Sequence, residues 1–224
     1  MRLLDLYCCE GGAGTGYARA GFDVLGVDLE PQPNYPFEFV QADAIEYVRE
    51  HGHEFDAIHA SPPCQAYTTM GNRHRGDWPD LIGPTRDALE ETGRPYVIEN
   101  VVGARRELRH PILLHGGIFG LGVDRPRLFE LNWPLAVMPI GPKVRNPIGV
   151  YGKAPDGRRL FDRADGTIQR AARGVDEARD AMGMPWASWN GLREAIPPAY
   201  TEWIGTQLLE AIPVTAVSGR EDER

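Results

Sequence analysis

Hydrophobic positions in the 224-residue chain cluster into short apolar runs, most of them closing on polar residues. "RLLDLY" (2–7) ends in a glycine-rich turn and is followed by "TGYARAGF". "DVLGVDLE" (23–30), "FEFVQAD" (37–43), "FDAIHAS" (55–61) and "PYVIENV" (95–101) repeat the pattern. Between the last two lies "DLIGPTRDALEETG", with helical spacing and a glycine stop. Strands alternating with helical or turn segments predict an α/β fold built on a doubly wound, mostly parallel sheet. Ligands of such sheets bind beyond the carboxyl ends of the strands, so the polar strand ends are where chemistry is expected.

"RPRLFELNWP" (125–134) predicts a further strand, entered from a glycine-rich loop. From Pro134 to Arg173 the texture changes to frequent Gly, Pro and Arg with weak apolar periodicity, a long loop or small subdomain. "DEARDAMGMP" (176–185) regains helical character, and "YTEWIGTQLLEAI" (200–212) predicts an amphipathic helix. The expected division is a main unit of residues 1–131 plus 174–213, a small basic segment at 132–173, and a disordered tail at 214–224. There is no internal repeat.

Composition adds little to this outline: 42% hydrophobic and 25% charged residues are ordinary for a globular protein. No run of about 18 apolar residues suggests a membrane span, and acids and glycines come too early for a signal peptide. Three cysteines, two of them adjacent, do not make a disulfide framework, and point to a reducing cytoplasm. Charge changes the picture more. The formal net charge of −8 argues against a nucleic-acid partner, but its distribution is uneven. Residues 1–120 carry 10 basic and 18 acidic side chains, residues 121–173 carry 10 and 5, and residues 174–224 carry 4 and 9. Phosphate contact is expected in the central basic segment.

Four groups of residues are candidates for chemistry. The first is "DLYCCEGGAGTGY" (5–17) with Asp28. A glycine turn after strand one admits a ligand to the backbone, and an acid ending strand two can hold ribose hydroxyls. The glycines depart from G-x-G-x-x-G, because counting from Gly12 the last position is Tyr17. An adenosylmethionine site, with no pyrophosphate to cradle, does not need that spacing; strand–turn–helix packing alone also explains glycines here. The second is "SPPCQ", where Cys64 is either a buried thiol after a strand-ending Pro-Pro or a nucleophile presented at the sheet rim. A thiol of pKa about 8.5 needs cations or a helix N-terminus to act as a nucleophile at neutral pH. The third is Glu99 of "ENV", facing the same crevice or simply an exposed strand-end acid. The fourth is "DRPRLF", whose Arg125 and Arg127 fall on one face if both lie on a strand.

Taken in order, "DLYCCEGG", "GVDLE", "QAD", "PPCQ", "ENV", "RPR" and "AIPP" resemble the motifs of the DNA (cytosine-5) methyltransferase family, in the compact form of its phage and bacterial members. The resemblance covers about 1–131 and 174–212. It implies a methyltransferase using S-adenosyl-L-methionine and no metal, with double-stranded DNA as partner and a monomeric state. By this resemblance Cys64 attacks C6 of a flipped-out cytosine, Glu99 meets N3 and the exocyclic amine, and Arg127 with Arg125 supports the base and the cysteine loop. Tyr7, Cys8, Cys9, Gly11 and Gly12 fall on the cofactor loop. Asp28 matches the ribose acid and Asp43 the adenine-binding one; Pro63 precedes the nucleophile, and Ala195 stands in the last motif, beside the cofactor.

Three departures from the family pattern stand out. Cys9 replaces a usual glycine with Glu10 beside it, where a side chain would crowd the cofactor and an acid would repel its carboxylate or favour an altered cofactor. Val123 stands where a glutamine often precedes the arginines, and the segment between Leu131 and Asp176 is short for a target-recognition region. The rival readings are a DNA amino-methyltransferase, a silent nucleotide- or DNA-binding relative, and an NAD-linked enzyme.

Overall fold

The computed structural model describes residues 1–67, 78–162 and 168–212, with the backbone alone at 159–162. Its centre is β1 (Arg2–Leu6), which pairs in parallel with β2 (Asp23–Asp28) on one side and β4 (Ala57–Ala60) on the other. Outward from these lie β3 (Glu38–Gln41) and β5 (Tyr96–Val101), both parallel. Then come two strands of opposite sense to one another, β7 (Arg127–Leu131) antiparallel to β5 and β6 (Ile112–Leu114) at the edge. The seven strands run in the order β3-β2-β1-β4-β5-β7-β6.

Alternation along each strand divides the core into two layers. Leu4, Leu6, Val27 and Ile98 face α2 (Ala44–His51) and α3 (Ile82–Thr92). Leu3, Val24, Val97 and Phe129 face α1 (Gly12–Ala20) and α6 (Pro198–Ala211). The last two helices approach closely because small residues meet there. A Cβ at Gly16 would lie 2.1 Å from the Pro198 carbonyl oxygen, and one at Gly205 would lie 2.8 Å from Ala20 Cβ. Arg86 of α3 crosses to the sheet as a buried two-pronged ion pair with Glu130, Nε–Oε1 2.6 Å and Nη2–Oε2 2.7 Å. Glu130 also accepts the Arg109 N–H, and Arg86 donates to the Glu107 carbonyl, so the charges are enclosed by partners.

The Gly/Pro/Arg-rich stretch builds a second sheet in the order β8-β10-β9, from Ile148–Gly149, Ile168–Ala171 and Arg159–Asp162 respectively. After it come α4 (Val175–Met182) and α5 (Trp189–Glu194), which share a small core with Val123, Val150 and Met184. The strand expected at 125–134 is thus confined to 127–131, and β6 and the small sheet go beyond the sequence pattern. The tail expected at 214–224 lies outside the described residues.

Candidate active site

The cofactor loop begins where β1 ends. Tyr7 (φ 57°), Cys9 (φ 45°) and Gly11 (φ 79°) all take left-handed backbone, and only the last is a glycine. Such angles are costly for side-chain-bearing residues and are held by surrounding bonds. Cys8 donates its N–H to Val27, Gly11 donates to the Cys8 carbonyl, and Cys9 donates to Asp28 Oδ2 at 3.0 Å. Asp28 Oδ1 accepts the Glu30 N–H at 3.1 Å, so the acid is fixed at the end of β2. Tyr7 is anchored by Thr85 (2.8 Å), and burial raises its phenol to about 12. Asp43 caps α2, with Oδ1 accepting from Ile45 and Glu46 at 2.9 and 3.0 Å. Gly12 leaves no room for a side chain, because its Cβ would stand 2.4 Å from the Ile196 carbonyl oxygen and 3.0 Å from Ala195 Cβ. The final motif therefore does fold against the glycine loop.

Glu10 corrects an expectation. Its carboxylate does not point into the cofactor loop to repel a ligand. It accepts the Ser188 hydroxyl at 2.6 Å and the Ser188 N–H at 2.7 Å, with Asn34 at 3.3 Å. Its own carbonyl accepts the Trp186 indole N–H. The acid is a clasp between the glycine-rich loop and the start of α5. Cys9 remains a real departure, since a thiol-bearing residue occupies a left-handed position. Burial pushes its thiol well up, reinforced by Asp28 and other acids.

The second half of the site is assembled by strand pairing. Register His59↔Val97 places Ser61 next to Glu99, and Asn100 Nδ2 donates to the Pro62 carbonyl at 2.8 Å. The "ENV" and "SPPC" segments are thereby tied together, with Pro63 and Cys64 held at the rim. Across β5, Glu99 faces Phe129 and Val101 faces Arg127, so Glu99 and Arg127 are diagonal neighbours on one face. Arg127 Nε lies 3.1 Å from Glu99 Oε1. The N–H is not aligned on that oxygen, and Oε1 is buried without a hydrogen-bond partner among the described residues. Burial raises the Glu99 carboxyl above the usual range, against opposing pulls from Arg127, Ser61 and Arg125. Burial likewise raises the Cys64 thiol; Glu99 adds to the rise, while Arg127 and Arg125 oppose it. The nucleophile candidate, the acid and the arginines are therefore one electrostatic group.

Arg125 is placed differently from Arg127. At 2% exposure and φ 36°, it donates to the carbonyls of Ala195 (2.7 Å), Val150 (3.3 Å) and Arg193. Its guanidinium brackets the final motif and β8 from behind, and acts on the crevice only through charge. Val123 is a core residue packed with Val150 and α4.

Sequence reasoning missed Ser61, Asn100, His59 and Tyr17. "HAS" carried the signal for two of them, because His59 and Ser61 are two apart on a strand and share Glu99's face. Tyr17 was hidden by distance along the chain.

No protein-family model matches the chain. Over 121 residues it is 32% identical to the type II methyltransferase M.AgeI of Thalassovita gelatinovora, covering 46% of this chain and 28% of that protein. This chain therefore spans under a third of that relative's length. Among solved structures, it matches an E. coli prophage-encoded protein named as a candidate DNA modification methyltransferase. The TM-score is 0.63 at 15% identity, over 94% of this chain and 99% of the other. The fold is that of the methyltransferases. The DNMT2 of Spodoptera frugiperda shares it too, with TM-score 0.60 and 15% identity over 93% of this chain and 99% of that one. The antiparallel β7, inserted between β5 and β6, is the strand that brings Arg127 to Glu99.

Proposed function

We propose that the protein transfers a methyl group from S-adenosyl-L-methionine to C5 of cytosine in double-stranded DNA, through a covalent bond between Cys64 and C6 of a flipped-out base. The supporting observation is Glu99 Oε1, a buried acceptor that faces the Arg127 charge but has no hydrogen bond among the described residues, beside Cys64. A buried carboxylate oxygen without a hydrogen bond is costly. The Watson–Crick edge of cytosine offers the missing partner, an exocyclic amine beside a ring nitrogen. The raised Glu99 carboxyl supplies the proton that N3 needs as charge develops there.

Cys64 loses its thiol proton to water, and addition of the thiolate sulfur to C6 pushes the ring electrons toward N3, where the Glu99 proton meets them. C5 then becomes nucleophilic. S-adenosylmethionine, when bound, supplies an electrophilic methyl group on a sulfonium. Loss of the C5 proton to a base and release of the thiolate restore the aromatic ring. A protonated Glu99 also lowers the repulsion that holds the thiol neutral, so acid and nucleophile are activated together. Arg127 steadies both.

The residues around the glycine loop suit this cofactor. Asp28 is held by two backbone N–H groups at the end of β2, where it can accept ribose hydroxyls. The α1 N-terminus has no side-chain cap and leaves donors for a carboxylate. Asp43 keeps one oxygen outside its capping bonds for the adenine end, and Tyr7, Cys8, Cys9, Gly11, Pro63 and Ala195 line or support the loop. The main unit is 1–131 with 174–213, and the basic 132–173 segment meets the DNA. Exposed Lys143, Arg145, Lys153 and Arg158 would contact the phosphates. With three free cysteines the protein suits a reducing cytoplasm.

The test is incubation with DNA containing 5-fluorocytosine and labelled S-adenosylmethionine. The expected result is a covalent protein–DNA complex that Cys64→Ser abolishes. Cofactor binding without adduct, or label on the cytosine amine, would overturn the proposal.

A further inference from the structure

Behind Glu99, on the face of the sheet covered by α1, three further polar side chains run in a line. The Tyr17 hydroxyl lies 3.0 Å from His59 Nδ1, and His59 Nε2 lies 2.9 Å from Ser61 Oγ. One step past the Ala60↔Ile98 pair, Ser61 stands beside Glu99 on the same face, and its hydroxyl favours the charged form of the Glu99 carboxyl. Tyr17 and His59 have no solvent exposure. Polar groups are seldom buried in a row without a purpose that needs each of them.

The direction of the chain follows from its ends. The Tyr17 hydroxyl has no hydrogen-bond partner other than His59 among the described residues. If His59 carried its proton on Nδ1, Tyr17 would accept it and its own buried proton would be left without an acceptor, which is unfavourable. The favoured arrangement has Tyr17 donating to Nδ1, Nε2–H donating to Ser61, and the single Ser61 proton free for Glu99. Burial holds the imidazole neutral, its titration pushed down to about 3, so the relay keeps this form at ordinary pH. The line stops at a fully buried tyrosine, so it has no outlet to water and cannot conduct a proton away.

We propose that Tyr17, His59 and Ser61 are positioning residues that aim one hydroxyl proton at Glu99, fixing one side of its carboxyl as an acceptor and leaving the other side to meet the base. This rests on the reading of Glu99 as the residue facing the flipped base. Among the described residues, the other charged or titratable groups around it are Arg127 and Arg125 from the β7 region and Cys64 at the rim. Asp5 is the cross-strand neighbour of His59 on β1.

The test reads Glu99 directly, in protein without DNA, so its result is separate from the adduct assay. Glutamate labelled with 13C at the side-chain carboxyl is titrated by NMR, with the Glu99 signal assigned by its loss in Glu99→Gln. Ser61→Ala should move the Glu99 midpoint upward, because a hydrogen bond favouring the charged form is gone. Ser61→Thr, which keeps the hydroxyl, should restore it. Tyr17→Phe removes one oxygen three links away and should also move the midpoint upward, by less than Ser61→Ala. An unmoved Glu99 in Ser61→Ala would overturn the proposal. So would an unmoved Glu99 in a folded Tyr17→Phe, because the chain would then end at Ser61.

Discussion

The Glu10 clasp makes a prediction whose sign depends on genetic background. Gly191 lies inside α5, and a Cβ built on it would fall 2.2 Å from both Cδ and Oε2 of Glu10. A carboxylate at the end of a flexible side chain would normally step aside at little cost. This one is buried and holds the Ser188 hydroxyl at 2.6 Å and N–H at 2.7 Å. Hydrogen bonds to a charged group contribute about 1.5–3 kcal/mol each. Gly191→Ala must disturb at least one of them, while gaining about 0.5–1 kcal/mol from the alanine's better helix propensity. The net expectation is a loss of about 1–2 kcal/mol, or roughly 2–8 °C in melting temperature for a protein of this size.

With Glu10→Ala already in place the obstacle is gone. Glu10→Ala alone should cost about 2–4 kcal/mol, and adding Gly191→Ala should then stabilise by about 0.5–1 kcal/mol. Urea denaturation of the four proteins, followed by far-UV circular dichroism, measures the cycle. A coupling on the order of 2 kcal/mol is expected, well above the few tenths seen for independent sites. If Gly191→Ala costs the same with and without Glu10, the clasp does not exist as described.

Two further predictions concern the buried charges. Glu130→Gln leaves Arg86 buried against a neutral partner and should cost about 3–5 kcal/mol in the same denaturation assay; a loss below about 1 kcal/mol would mean the pair is hydrated. Asp5 is fully buried, with Oδ1 lacking a hydrogen-bond partner among the described residues and Tyr35 on Oδ2 at 3.2 Å, and burial raises it to about 8. Between about pH 4 and 8 the unfolded chain has released this proton and the folded chain has kept it, so its contribution to stability falls as pH rises. Asp5→Asn should flatten that decline between pH 6.5 and 8, and an unchanged slope would refute the assignment. His59 acts in the opposite direction. Its depressed titration makes stability fall as pH drops from about 6.5 toward 3.

The central strands were legible because they are buried on both faces and rich in apolar residues. Leu3, Leu4 and Leu6 in β1 or Val97 and Ile98 in β5 leave no ambiguity. Helix α1 was harder, because "GAGTGYARA" has three glycines and poor intrinsic helix propensity. Gly12 and Gly16 serve the contacts with the 195–201 region and Gly14 the approach of Asp5 and Tyr35, none of which local pattern displays. Strand β6 is three residues at an edge, and the small sheet depends on pairings such as Arg170↔Ile148 rather than on periodicity. At the site, Cys64, Glu99 and Arg127 were readable as a set because motif order survives in the chain. Arg125 was readable as present but not as a bracket for carbonyls. Glu10 was misread, since its partner is remote in sequence. Asp43 begins "DAIE", whose capping spacing was a signal that the adenine reading passed over.

Glu10 and Ser188 are 178 positions apart. At ordinary translation speeds of about 5–20 residues per second, roughly 9 to 36 seconds separate the synthesis of one from the other. During that interval the glycine loop exists as sequence without its far support, and Gly12 lacks the Ala195–Ile196 wall against which it packs. A ribosome-bound chain thus carries the Cys64 segment long before its glycine loop is braced. The loop that is made first gains its wall only once α5 and α6 have been made.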